Sequence, residues 1–167
     1  MNFTTTVINW YSVNKRNLPW RTSNNPYNIW LSEIILQQTQ IKQGLPYYEA
    51  FLENFPSVQA LAKASETSVL NLWQGLGYYS RARNLHYTAK HITENLNGEF
   101  PKDYNSLLGL KGVGDYTASA IASICYDEAV AVVDGNVYRV LARYFGIDTP
   151  INSTEGTKQF KTLAQSL

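Results

Sequence analysis

A single cysteine, Cys125, is the scarcest chemistry in this chain of 167 residues. It excludes an internal disulfide, cannot build a metal site alone, and fits a reducing cytoplasm. The two histidines, His86 and His91, have no ligand partners at metal spacing and read as surface residues. No apolar run approaches the roughly 20 residues that a membrane helix needs, so no membrane partner is expected. The start, Met1-Asn2-Phe3-Thr4, lacks a charged leader followed by an apolar stretch, which argues against secretion. An excess of one charge is missing too: 14 Lys and Arg stand against 13 Asp and Glu. A uniformly basic surface is thereby excluded, and any contact with nucleic acid has to use a local basic face. What the chain does hold is aromatic. Twelve tyrosines and four tryptophans are enough for a core and for base stacking.

Strand signals are scarce as well. The one strand-like run, Ala129-Val130-Ala131-Val132-Val133, has no convincing partner and reads as an extended connector. The remaining periodicity is helical. It predicts helices over 3–14, from Pro26 to about Thr39, and over 44–54, 57–63, 66–74, 79–96, 103–108, 115–126, 135–145 and 153–167. Prolines and glycines punctuate them, with Asn25 as a cap before Pro26. The fold class is therefore all-α, and length alone suggests one domain. Phe160, Leu163, Ala164 and Leu167 form an apolar face that stops without cap or glycine. Either the last helix packs at an edge or the chain is cut inside a larger domain; the cut is the expectation.

Five places could carry chemistry. Leu110-Lys111-Gly112-Val113-Gly114-Asp115-Tyr116 places two glycines between apolar runs, as a sharp turn between helices requires. The second helix would present amides and the positive end of its dipole to a phosphate, although such a turn also serves as a plain connector. Glu33 has Ile29, Trp30, Leu36 and Gln37 one turn away. Burial there would raise its pKa and make it a general acid; at the core margin it would be an ordinary helix glutamate. Asp134 opens a helix before Gly135-Asn136-Val137. It reads as an N-cap, and a cap carboxylate facing a cavity can also stabilise a cation. Gln37-Gln38-Thr39 is either a solvated helix end or a set of amides able to fill the gap left by an extruded base. Gly75-Leu76-Gly77-Tyr78-Tyr79-Ser80-Arg81-Ala82-Arg83 pairs aromatics with cations, which suits bases and phosphates or simply begins a helix.

Together these segments resemble the helix-hairpin-helix DNA glycosylases, most closely the adenine-specific mismatch glycosylases of the MutY type. The resemblance runs through Leu18-Pro19-Trp20-Arg21, Pro26-Tyr27, Trp30-Leu31-Ser32-Glu33, Leu36-Gln37-Gln38-Thr39, Gly75-Leu76-Gly77-Tyr78-Tyr79, Gly112-Val113-Gly114 and Asp134-Gly135-Asn136-Val137. It implies base excision repair on double-stranded DNA, with adenine opposite 8-oxoguanine or guanine flipped out and cut from its sugar. On that resemblance Glu33 protonates the adenine ring and then helps activate water, while Asp134 stabilises positive charge on the sugar. Tyr116 and Asn136 assist at the sugar, and Trp20, Arg21 and Leu36 line the adenine pocket. Gln38 and Tyr78 wedge into the duplex. The Gly112-Val113-Gly114 turn holds its backbone, and Gln37, Arg81 and Lys111 are further DNA-binding residues, Lys111 as a phosphate contact or a solvated lysine.

Tyr116 stands where the related endonuclease III type carries a lysine that attacks the sugar, so a hydrolase without lyase activity is expected. The alternatives are a glycosylase for another base and a non-catalytic DNA-binding module. The family architecture implies a six-helix domain at 18–127, with the hairpin at 107–126, and a second helical domain built from 1–17 and 128–167. That second domain is expected to be incomplete, because the family's four cysteines for a 4Fe–4S cluster are absent and Cys125 lies outside their pattern. No cofactor is expected within this chain, which is expected to act as a bacterial, nucleoid-associated monomer. With an additional adenine-holding acid also placed beyond Leu167, weak turnover is expected.

Overall fold

The computed structural model describes residues 2–167. The regular structure among them is helical, as the periodicity predicts: α1 (Phe3–Asn14), a 3-10 turn (Pro19–Arg21), α2 (Pro26–Ile35), α3 (Ile41–Asn54), α4 (Val58–Lys63), α5 (Glu66–Trp73), α6 (Ser80–Asn95), α7 (Tyr104–Leu108), α8 (Asp115–Tyr126), α9 (Gly135–Phe145) and α10 (Thr154–Ser166). The chain divides into two compact units. One joins the residues up to Thr22 with Ala129–Leu167; the other is the contiguous stretch Ser23–Glu128.

In the contiguous unit most helix starts are written in side chains. Asn25 accepts from the amides of Tyr27 and Asn28 just ahead of Pro26, and Ser57, Ser65 and Asp103 cap α4, α5 and α7 in the same way. Helix α2 is buried along almost its whole length, from Tyr27 to Ile35, and packs on α3, α6 and α8. Small residues of α8 (Ala118, Ser119, Ala120, Ala122) are fully covered, which lets backbones approach closely. Aromatic edges lock the core: Phe51 meets Trp73 edge-on at 5.8 Å, and Trp30 meets Phe100 at 5.4 Å.

Three expectations need correction here. Helix α2 ends at Ile35, short of Thr39, because the chain turns over at Gln38, whose φ is 56°. Helix α3 begins at Ile41 and takes Pro46 into its second turn, where the ring gives up the bond to the Lys42 carbonyl. His86 is buried, not superficial. Its place beside Ala82, Leu85, Ala89 and Ile92 on the inner stripe of α6 was the overlooked signal. Its Nε2 lies 3.0 Å from the Ala64 carbonyl, and burial pushes the imidazole pKa down, with Lys90 adding to the effect.

In the other unit α9 and α10 pack on each other, with Tyr138 and Phe160 edge-to-face at 5.1 Å. Phe3 of α1 stacks on Tyr144 and Phe145 at 4.8 and 5.4 Å. Residues 129–133 form an extended connector with no strand pairing among the described residues. Its backbone polar groups are met by a side chain: Gln165 donates to the Ala129 carbonyl and accepts from the Ala131 amide. Phe160 is fully buried while Leu167 stays exposed.

Candidate active site

In the contiguous unit the candidate residues cluster at two places, the C-terminal end of α2 and the turn from α7 to α8. Glu33 lies in the last turns of α2 and is only 7% exposed, between Ser32 and Ile34, which are buried too. That burial rules out the solvated-margin reading of this glutamate. Leu36 and Gln37 are half-buried at the end of the helix, and Gln38 is exposed.

Arg81, expected to contact DNA, is placed differently. Its Nη1 reaches the carbonyls of Ile34, Ile35 and Gln37, and its Nη2 those of Leu76 and Gly77. The guanidinium is thus committed to main-chain oxygens inside this unit, and burial lowers its pKa from the ordinary arginine range. Tyr78 projects from the same turn with 68% of its surface exposed.

The turn between α7 and α8 is held by α6. Thr88 donates to the Lys111 carbonyl at 2.7 Å, and the Lys111 ammonium sits 4.5 Å from the centre of the Tyr87 ring. The Tyr104 hydroxyl donates to Asp115 and ties the two helices of the hairpin together. The two glycines do different jobs. Gly112 has φ +80°, and a Cβ there would come within 2.8 Å of Asn84. Gly114 is the extended N-cap of α8; it supplies no capping side chain, and a Cβ on it would meet nothing within 4 Å. Val113 between them is buried, and Tyr116, in the first turn of α8, is 39% exposed.

In the other unit Asp134 is the N-cap of α9, as its sequence context predicts. Its Oδ1 accepts from the amides of Asn136 and Val137 at 2.9 and 2.8 Å. Its Oδ2 accepts from the Asn136 side-chain amide at 3.0 Å. Asn136 in turn accepts from Arg139, a residue that the sequence reading passed over. Its signal was the three-residue step from Asn136 along one helix face. Trp20 is buried on the 3-10 turn, and Arg21 beside it is exposed.

Among the described residues no group of three or more His, Cys, Asp or Glu is placed to hold a metal ion. A 4Fe–4S cluster needs four thiolates, so the lone half-buried Cys125 does not fit that cofactor. No helix among the described residues is long and apolar enough to cross a membrane.

Comparison with known proteins places this arrangement. The family model of the HhH-GPD superfamily base excision DNA repair protein matches residues 31–165. An adenine DNA glycosylase of Buchnera aphidicola subsp. Baizongia pistaciae is 46% identical over 147 residues, covering 87% of this chain and 42% of its own length. The human adenine DNA glycosylase is 43% identical over 174 residues, covering 99% of this chain and 32% of its own length. The chain thus spans less than half the length of these curated relatives. A thermostable thymine-DNA glycosylase structure superposes with a TM-score of 0.89 at 27% identity, covering 98% of this chain and 76% of that one. A non-covalent endonuclease III–DNA complex shares the fold, with a TM-score of 0.78 at 19% identity over the whole of this chain and 79% of that one.

Proposed function

We propose a function from the premise that this chain belongs to the HhH-GPD superfamily of base excision DNA repair proteins: it hydrolyses the N-glycosidic bond of adenine mispaired with 8-oxoguanine or guanine in duplex DNA. The observation that carries the reading is the buried Glu33. A carboxyl set in the buried length of α2 serves as the general acid that delivers a proton to a ring nitrogen of an extruded adenine. Protonation turns the base into a neutral leaving group as the bond to the sugar breaks. The carboxylate left behind then takes a proton from the attacking water. Asp134, on the other unit, caps α9 and offsets positive charge growing on the sugar ring. Asn136 holds that carboxylate through its side-chain amide, and Arg139 fixes Asn136. Trp20, Arg21 and Leu36 serve as pocket lining, Tyr116 acts at the sugar, and Gln38 and Tyr78 enter the duplex where the base leaves. The protein works as a monomer at the nucleoid.

The hairpin supplies the grip. With no side chain at the N-cap, the first turn of α8 is left to a DNA phosphate, and Gln37 and Lys111 add further DNA contacts. The glycines separate folding from binding. Gly112→Ala is expected to lose about 1–3 kcal/mol of stability, since it forces an alanine into left-handed backbone. Gly114→Ala is expected to change stability by less than about 0.5 kcal/mol, as a surface substitution does. It is nonetheless expected to weaken duplex binding, because its methyl occupies the phosphate's approach. Urea melts read the first effect and fluorescence anisotropy with a labelled duplex the second.

Strand chemistry tests the reaction class. Tyr116 cannot form an iminium with the sugar, and the Lys111 ammonium is held over the Tyr87 ring. Duplexes carrying A opposite 8-oxoguanine, A opposite G, T opposite G, or an oxidised pyrimidine are incubated with the chain and then split between hot alkali and borohydride. Strand breaks that need alkali, from the two adenine duplexes, are expected. A borohydride-trapped covalent complex would overturn the hydrolase assignment. Excision confined to T opposite G would establish the second reading, favoured by the likeness to the thymine-DNA glycosylase structure.

A further inference from the structure

Four residues other than glycine have positive φ among the described residues: Gln38, Tyr78, Asn97 and Asp127. Asn97 and Asp127 are of the types that tolerate left-handed backbone, and both lie where a helix ends. Gln38 (φ 56°) and Tyr78 (φ 46°) belong to neither tolerant type. Their side chains are exposed, so burial of those side chains does not offset the strain. Something else has to hold each turn.

One guanidinium holds both. Arg81 reaches the Gln37 carbonyl through Nη1 and the Gly77 carbonyl, at 3.4 Å, through Nη2. Gln37 and Gly77 are the residues immediately before Gln38 and Tyr78, so each bond fixes the peptide plane from which a left-handed residue departs. The remaining contacts brace the fork. Nη1 also reaches the carbonyls of Ile34 and Ile35 at 3.2 Å, and Nη2 that of Leu76 at 3.2 Å. The Arg81 Cζ lies 5.1 Å from the Trp73 ring and 5.7 Å from the Tyr78 ring, and Trp73 Nε1 adds a second bond to the Gly77 carbonyl at 2.9 Å. The two segments are 40 residues apart in sequence, and a planar fork can serve carbonyls on two sides at once. A lysine ammonium is a single point and cannot.

We propose that Arg81 is a positioning residue that couples Gln38 and Tyr78, setting both in left-handed backbone so that they enter the duplex as one paired wedge. This rests on the glycosylase reading above. The coupling itself is a property of the unit that contains all three residues, so it can be judged separately.

The test is Arg81→Lys in the whole chain, with hydrogen exchange and 2-aminopurine fluorescence measured on the same samples. Amides in 36–40 and 76–80 are expected to exchange about tenfold faster together, while those of α8 keep their wild-type rates. A duplex with 2-aminopurine beside the mismatched adenine is expected to lose most of the fluorescence rise that the wild-type chain produces, at protein concentrations that saturate binding. Adding Gln38→Asn to the lysine variant is expected to slow exchange in 36–40 again and leave 76–80 fast, because asparagine accepts left-handed backbone. A purely structural role would not be rescued at one segment. Arg81→Gln, which keeps an amide donor, replaces the lysine variant if that one fails to fold. Acceleration at one segment only, or at neither, overturns the proposal, as does undiminished fluorescence when both accelerate. A wild-type chain that leaves 2-aminopurine stacked in every duplex overturns the glycosylase reading, and the exchange rates still decide whether one guanidinium sets both turns.

Discussion

Glu33→Gln is expected to abolish adenine excision, lowering the single-turnover rate by about a thousandfold or more, while duplex binding stays near wild type. General acid catalysis alone contributes about 10²–10⁴-fold, and the same group is needed again to activate water. Glutamine matches glutamate in shape and is nearly its equal as a helix former, so α2 is not disturbed. Because the side chain is only 7% exposed, an amide there meets the same packing that the carboxyl met. Quenched-flow or manual single-turnover assays with A opposite 8-oxoguanine read the rate, and anisotropy reads the binding. Retained excision would remove Glu33 from the chemistry and leave its burial without a catalytic meaning. Joint loss of excision and binding would instead make it a structural residue.

Asp134→Asn is the second large effect, and it separates two roles of one side chain. Asparagine is as good an N-cap as aspartate, so the bonds to the amides of Asn136 and Val137 survive. The charge does not survive, and neither does the acceptor for the Asn136 side-chain amide. Loss of one preorganised electrostatic partner of a transition-state charge costs about 10²–10³-fold in rate. The single-turnover rate is expected to fall by that factor with the melting temperature little changed. Asp134→Ala should fall as far in rate and lose in addition about 1 kcal/mol of stability, the cost of the missing cap. If Asp134→Asn excised adenine at the wild-type rate, the residue would be a cap and nothing more.

These two acids also show what a sequence reading reaches and what it misses. Both positions stood out locally, Glu33 by its apolar neighbours and Asp134 by the Gly135-Asn136 that follows it. Helix bounds were legible at Asn25-Pro26 and at Gly146, which takes the left-handed cap of α9, but not at Gly44 and Pro46, which lie inside α3. The end of α2 was not legible. Nothing in Leu36-Gln37-Gln38-Thr39 announces that the helix stops at Ile35, because the group that takes its last carbonyls is a guanidinium from α6. For the same reason Arg81 read as a cation beside DNA: its acceptors are main-chain oxygens, which leave no trace in the residue types. His86 was a different failure. Its place on the inner stripe of α6 was visible in the periodicity, and the lack of partners at metal spacing says nothing about burial.

The division of the chain also sets an order of manufacture. The unit Ser23–Glu128 is contiguous, so its contacts are complete once residue 128 has left the ribosome. The other unit joins both ends of the sequence. The stacking of Phe3 on Tyr144 closes a loop of more than a hundred residues, a slow and entropically costly step. At about 5–20 residues per second, α9 and the Asp134 that caps it follow within a few seconds. Throughout that interval the nascent chain carries Glu33, the Gln38 and Tyr78 turns and the hairpin, but no capped Asp134. On the glycosylase reading proposed above, such a chain is expected to grip a duplex before it can excise a base from one.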